Sequence, residues 1–234
     1  MKDVVLDWIP RHDERSREFP VRNLTAGRPR PKAMYWGNPK EWIDQGREGA
    51  CVGFAWTNEL LARPVVSKLP LPSNDFALNL YRSAQKVDQW EGEAYSGTSV
   101  LAGAKVTKMG GFITNYYWAF SIDDVIDALA FMGPVVLGVP WLESMYGTLP
   151  GGLVELSGRQ VGGHAITATG FGSKDFRVST AEGRTAKRRE DVIRWRNSWG
   201  RDYGVNGDGF IKMSDLEYLL KNHGEACVPI GRLK

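Results

Sequence analysis

The 234-residue chain changes character at Gly133–Pro134, and that change limits what it can fold into. Upstream, apolar residues recur at helical spacing: Val52, Ala55, Trp56 and Leu60 in one run, Phe76, Leu80, Ala84 and Val87 in the next. Pro64 stops the first run. Ser73 caps the second, Thr98 or Ser99 caps a third that ends at Gly110–Gly111, and Ser121 with Asp124 opens a fourth. Downstream, β-branched runs dominate: Val135 to Val139, His164 to Gly172, Asp191 to Trp199 and Gly209 to Met213, divided by glycine-rich turns. A short helix from Ser214 to Leu220 follows. Helices before strands predict an α+β fold over 41–234, with a helical lobe over 41–132, a sheet-rich lobe over 133–234 and a cleft between them. The Arg- and Pro-rich residues 1–40 predict an extended arm laid over the surface and anchored by Trp36 and Trp42.

Composition narrows the function. A net charge of +3 is too small to make nucleic acid or a membrane surface the main partner. The first residues mix both charge signs without an apolar core, and no run reaches transmembrane length, so neither a signal peptide nor a membrane span is expected. The two cysteines, Cys51 and Cys227, make no disulfide framework, which points to a reducing, cytoplasmic setting. No cofactor or metal is expected: no nucleotide motif or zinc set is present, and Asp202, Asn206 and Asp208 lack calcium-loop spacing. The basic run from Arg184 to Glu190 lacks interleaved aromatics and reads as a solvated loop tip, within a stretch from Ser173 to Asp191 that looks like an extended hairpin or loop. Oligomeric state leaves no signal.

Cys51 lies where a glycine-rich loop turns into an amphipathic helix. Free backbone N–H groups and the positive end of the helix dipole gather there and favour a thiolate. A buried, inert cysteine is the competing reading. A thiol nucleophile needs a base, and the base needs a group that fixes its tautomer. Of three histidines, His12 lies in the polar arm and His223 near a helix end, whereas His164 opens a strand directly after Gly162–Gly163, a setting that exposes a side chain and admits another backbone.

Four segments then form a pattern: DQGREGACVGFAW, GPVVLGV, GGHAITATGFG and WRNSWGRDYGVNGDGFIKM. In that order they resemble the Gln-loop-Cys helix, Gly-Pro-Val strand, His strand and Asn-Ser-Trp-Gly strand of papain-like cysteine peptidases, over Trp42 to Met213. The resemblance implies a two-lobed fold with a helical N-terminal lobe, an antiparallel sheet or barrel behind it, and the active site in the cleft. It implies Cys51 as nucleophile, His164 as base and then acid, Asn197 as the group orienting His164, and Gln45 as oxyanion donor. It further implies Trp199 as a shield over the His164–Asn197 contact, Gly97 as a backbone site for an extended peptide, and Gly163 beside the base as part of the substrate pocket. A depressed thiol pKa is expected on the same ground. Glu48 stands where the family often has a disulfide cysteine, Val52 where an aromatic follows the nucleophile, and Gly163 where Asp is frequent. The expected activity is peptide-bond hydrolysis through a thioester. An amidase or transpeptidase on cell-wall or modified peptides would use the same residues, and an inactive binding module would keep the fold alone.

Overall fold

A computed structural model describes residues 4–11, 13–37, 42–64, 73–88, 96–179 and 185–232. His12, the Pro-bounded segment 65–72 and Arg184 lie outside the described residues. In chain order the elements are α1 (Arg22–Thr25), β1 (Met34–Tyr35), α2 (Cys51–Leu61), α3 (Asn74–Val87), α4 (Val100–Met109), β2 (Ile113–Ala119), α5 (Ile122–Phe131), β3 (Val135–Leu142), β4 (Leu153–Val154), β5 (Gln160–Ser179), β6 (Thr185–Arg196), β7 (Asp208–Lys212), α6 (Met213–Lys221) and β8 (Glu225–Arg232).

The helix starts follow their caps. Ser73, Ser99 and Ser121 each sit in extended backbone and accept from the N–H three residues on, so the donors that α3, α4 and α5 would otherwise leave open are satisfied. The buried face of α3 is Ala77, Leu80, Tyr81 and Ala84, whereas Val87 is exposed, a rotation of the expected stripe. A larger correction concerns α2. It is buried on every side, not amphipathic, because all eleven of its residues are enclosed between α3, α4 and the sheet. Its backbone is held to β5 by Thr167, whose hydroxyl donates to the Ala55 carbonyl at 2.6 Å.

The strands form a sheet in the order β2-β8-β3-β5-β6-β7-β4, with β1 added to β5 and only the β4–β7 pair parallel. Four strands were not visible in the pattern, the two-residue β1 and β4 and the longer β2 and β8. β2 precedes Gly133–Pro134 yet pairs with β8, so the sheet draws on chain from both sides of the compositional change. The stretch from Ser173 to Asp191 is a long hairpin, and the basic run is strand within it instead of a loop tip: Thr185 to Glu190 belongs to β6 and pairs with β5, where Lys187 and Arg188 meet Asp175 and Glu155. The Asp208 carboxylate is engaged by Arg194 and Arg196.

The first forty residues are more than an extended arm on the surface. Val21 is fully buried in the main core, α1 and β1 interrupt the chain, and Arg30 pairs with Asp123 and Asp127 of α5. Trp36 donates its indole N–H to the Leu129 carbonyl at 2.7 Å. At the other end of the chain, Arg232 of β8 reaches Glu59 of α2 in a buried ion pair that joins helix to sheet. Burial raises the Glu59 carboxyl pKa, with Arg232 opposing it. Arg232→Ala strands Glu59 unpaired, and we expect a loss of about 3–5 kcal/mol in urea unfolding. An unchanged midpoint would remove this pair from the account of stability.

Candidate active site

His164 is set by β5 and its neighbours. His164 pairs in register with Val139 of β3, and the next residue, Ala165, directs its backbone N–H at the Cys51 sulfur. His164 is not at a strand end as expected; it lies inside β5 and is fully buried. Its ring sits between Trp199, 4.8 Å away and tilted by 30°, and Trp141, 4.7 Å away and edge-on. Tyr146 stacks on the far face of this aromatic group, 5.8 Å from Trp199. Trp141 was missed, because a tryptophan within a buried strand carries no signal beyond core.

Asn197 follows β6, and its Oδ1 lies 2.8 Å from His164 Nε2. The same oxygen accepts from the Ser198 backbone N–H at 2.7 Å, which fixes the orientation of the amide. An oxygen cannot donate, so Nε2 carries the proton and Nδ1 is the basic nitrogen. That Nδ1 is buried without a hydrogen-bond partner among the described residues.

Gln45 approaches from the loop before α2. Its backbone N–H donates to the Ser198 carbonyl at 2.8 Å, and its Oε1 accepts from the Ser198 hydroxyl at 2.6 Å. Ser198, also unanticipated, thereby turns the amide N–H₂ to the opposite side, where Nε2 donates to the carbonyls of Glu48 at 2.9 Å and Val5 at 3.1 Å. Cys51 is the first residue of α2, and the first N–H groups of a helix have no intrahelical acceptor, so the helix does not consume the Cys51 N–H.

The contact with Val5 belongs to a longer feature. Residues 4–9 run along the site. Trp8 donates its backbone N–H to the Gly163 carbonyl at 3.0 Å. Thr98 donates to the Asp7 carbonyl and accepts from Ile9, both at 3.1 Å, as a parallel bridge. Thr98 therefore carries the ladder bonds. Gly97 beside it has φ of +93°, and a Cβ there would fall 2.3 Å from the Asp7 oxygen. A Cβ on Gly163 would fall 2.5 Å from Trp8, so the glycine before the base makes room for this backbone. The Asp7 N–H is directed at the Cys51 sulfur.

This cover changes the electrostatics. Burial pushes the Cys51 thiol up to about 11, although backbone N–H groups of Ala165 and Asp7 favour the thiolate. Burial likewise lowers His164 to about 4 against the effect of Asn197. At neutral pH the covered site thus holds a thiol and a neutral imidazole, the reverse of the expected depressed thiol pKa. The physical reason is desolvation, which disfavours both charges. Cys227, in β8, is buried and unpaired, and its thiol is pushed well upward by the same cause.

A cysteine at a helix start, a histidine oriented by an asparagine and a glutamine amide held by Ser198 form a combination suited to acyl transfer. A sequence profile of papain family cysteine proteases matches residues 76–227, well over half of the chain, holding His164 and Asn197 and beginning after Gln45 and Cys51. No curated protein matches the chain by sequence. Among solved structures it is similar to xylellain, a cysteine protease from Xylella fastidiosa, with a TM-score of 0.69 at 22% identity over 99% of this chain and 98% of that one. Digestive procathepsin L2 proteinase from Tenebrio molitor larval midgut gives 0.61 at 16% identity, covering 98% and 79%. Procathepsin L 3 from the same tissue gives 0.58 at 15%, covering 88% and 72%. These likenesses are likenesses of fold, and together with the profile they place the chain in the papain family of cysteine proteases.

Proposed function

We propose that the chain hydrolyses peptide bonds with Cys51 as nucleophile, and that residues 4–9 hold the site in a resting state. The observation that carries this reading is the His164–Asn197 bond, which leaves Nδ1 as the free basic nitrogen one residue from the Ala165 contact with Cys51. When residues 4–9 leave, water returns, and the thiol can pass its proton to Nδ1. The thiolate attacks the peptide carbonyl carbon. The developing oxyanion receives the Gln45 amide N–H and the Cys51 backbone N–H, the donors now facing Val5 and left open by the helix start. His164 returns the proton to the leaving amine, and a thioester remains. Water then gives its proton to His164 and cleaves the thioester, freeing the acid and the thiol.

Intact-mass labelling with a thiol-directed epoxide tests the assembly of the site. We expect a single adduct on Cys51 with Cys227 spared, since burial and the nearby Glu225 and Glu59 carboxyls push the Cys227 thiol well upward. Equal labelling of both cysteines, or none on Cys51 in the uncovered Trp8→Ala variant, would count against Cys51 as the nucleophile.

A further inference from the structure

Trp8 closes over an acidic group. Its indole Nε1 donates to Glu225 Oε1 at 2.8 Å, and the ring lies over Gly138 and Gly163, where a Cβ would fall 2.3 Å and 2.5 Å from it. Glu225 opens β8 in register with Gly138 and is only 4% exposed. Its Oε2 is buried with no hydrogen-bond partner among the described residues. An indole supplies one neutral donor to a group with two acceptor oxygens, so it suits a carboxylic acid but does not balance a carboxylate.

The groups around Glu225 do not supply the missing positive charge. Val100 of α4 turns a backbone N–H toward it, whereas Asp88 at the end of α3 repels a negative charge there. Cys227, two residues along β8, is an uncharged thiol. Glu225 also lines a cavity with Arg11, Asp13, Glu14, Arg17, Arg22, Lys221 and His223. In that cavity Arg17 is held by Glu14, Arg22 lies near Asp124, and Lys221 is held by Glu217. Burial thus pushes Glu225 up to about 8, opposed by the Trp8 and Val100 N–H groups.

We propose that the Trp8–Glu225 contact is a pH-sensitive latch: residues 4–9 are held over the site while the carboxyl is neutral and are released as it ionises. The inference rests on the proposed function and extends it by naming what frees the resting site. Once Trp8 leaves, water reaches Glu225, and its hold on a proton returns toward the ordinary value of 4.5. The covered form therefore binds the proton more tightly. Its advantage is complete below pH 4.5, declines as pH rises toward 8 and is lost above that. Each unit of difference between the two forms is a tenfold change in their ratio. Asp7 acts with the same sign: it accepts from Ser96 and faces Cys51 and Tyr81, and burial pushes its carboxyl up. A proton passed from Cys51 to His164 on opening stays within that pair and leaves the balance unchanged.

The test follows epoxide labelling of Cys51 between about pH 5 and about pH 8 in the full-length protein and in Glu225→Gln, whose amide mimics the neutral carboxyl and cannot ionise. Both proteins share the same thiol and imidazole, so the ratio of their rates cancels the titration of the site itself. We expect rates equal within about threefold at the acid end and a wild-type rate higher by about tenfold or more at the alkaline end. In the Trp8→Ala background, where the indole is absent, the same ratio should stay near unity throughout. Protection of the Trp8 and Ile9 amides, which donate to Gly163 and Thr98, gives a second reading without substituting Glu225. Measured by hydrogen exchange and corrected for intrinsic rates, it should fall by about tenfold or more over the same range. A flat or inverted ratio, a rise that persists in Trp8→Ala, or constant protection overturns this inference and leaves the proposed function standing. Cys51 inert in Trp8→Ala overturns both.

Discussion

Trp8→Ala is expected to raise kcat/KM for a good peptide substrate by on the order of 100-fold or more. Replacing a buried tryptophan by alanine costs about 3–5 kcal/mol in a packed setting. Trp8 is packed only while residues 4–9 lie in the site, where it is 4% exposed and bonded to Glu225. In an open form the ring is in water, so the substitution weakens the covered state and leaves the open one nearly unaffected. The equilibrium between them shifts by that amount until the open form predominates, which sets a ceiling on the gain. Epoxide labelling of Cys51 should accelerate in parallel, since access limits both processes. Turnover and labelling that both stay at the wild-type rate would mean that residues 4–9 do not limit access.

Cys51→Ala is expected to abolish hydrolysis, and His164→Ala to lower kcat by on the order of 10⁴-fold or more. The thiol supplies the bond that forms, and no neighbouring group replaces it. Loss of His164 removes the proton acceptor and the acid for the leaving amine together, so the double variant should be no worse than Cys51→Ala alone. Asn197→Ala should cost less, because Trp141 and Trp199 still enclose the ring and restrict its rotation. The check is single-turnover kinetics in the Trp8→Ala background, where access does not mask chemistry. Substantial turnover in Cys51→Ala would exclude the acyl-enzyme route.

Much of this arrangement is legible in the sequence wherever a local rule decides. Serine caps place the starts of α3 and α5 to the residue and that of α4 to Thr98 or Ser99, since the cap hydrogen bond depends on neighbours three positions away. The resemblance of four segments gives the fold and nominates Gln45, Cys51, His164 and Asn197. What sequence hides is set by distant partners. β2 and β8 define each other across more than a hundred residues, and neither alternates strongly enough to be read alone. Burial of α2 on all sides depends on helices and strands whose packing a single stretch does not record. Ser198 and Trp141 look like ordinary core residues until Gln45 and His164 stand beside them. The largest difference concerns the thiol, since burial governs its pKa and residues 4–9 add to that burial, and an Arg- and Pro-rich arm gives no sign of where its leading end lies.

The division of the first forty residues into a leading end over the site and a rear built into the fold has a further consequence. Val21, β1 and the Arg30 pairs anchor the rear, so Trp8 is tethered by about a dozen residues of chain, among which Glu14–Glu18 buries no side chain. A tether of that length presents its end at an effective concentration of roughly millimolar. A segment with only micromolar intrinsic affinity is then bound almost all the time. One cut within the exposed stretch would leave the contacts that residues 4–9 make with the site unaltered, yet it would convert an intramolecular equilibrium into a bimolecular one. At nanomolar protein the released segment would dilute away by mass action, while the rear of the arm remained in the core.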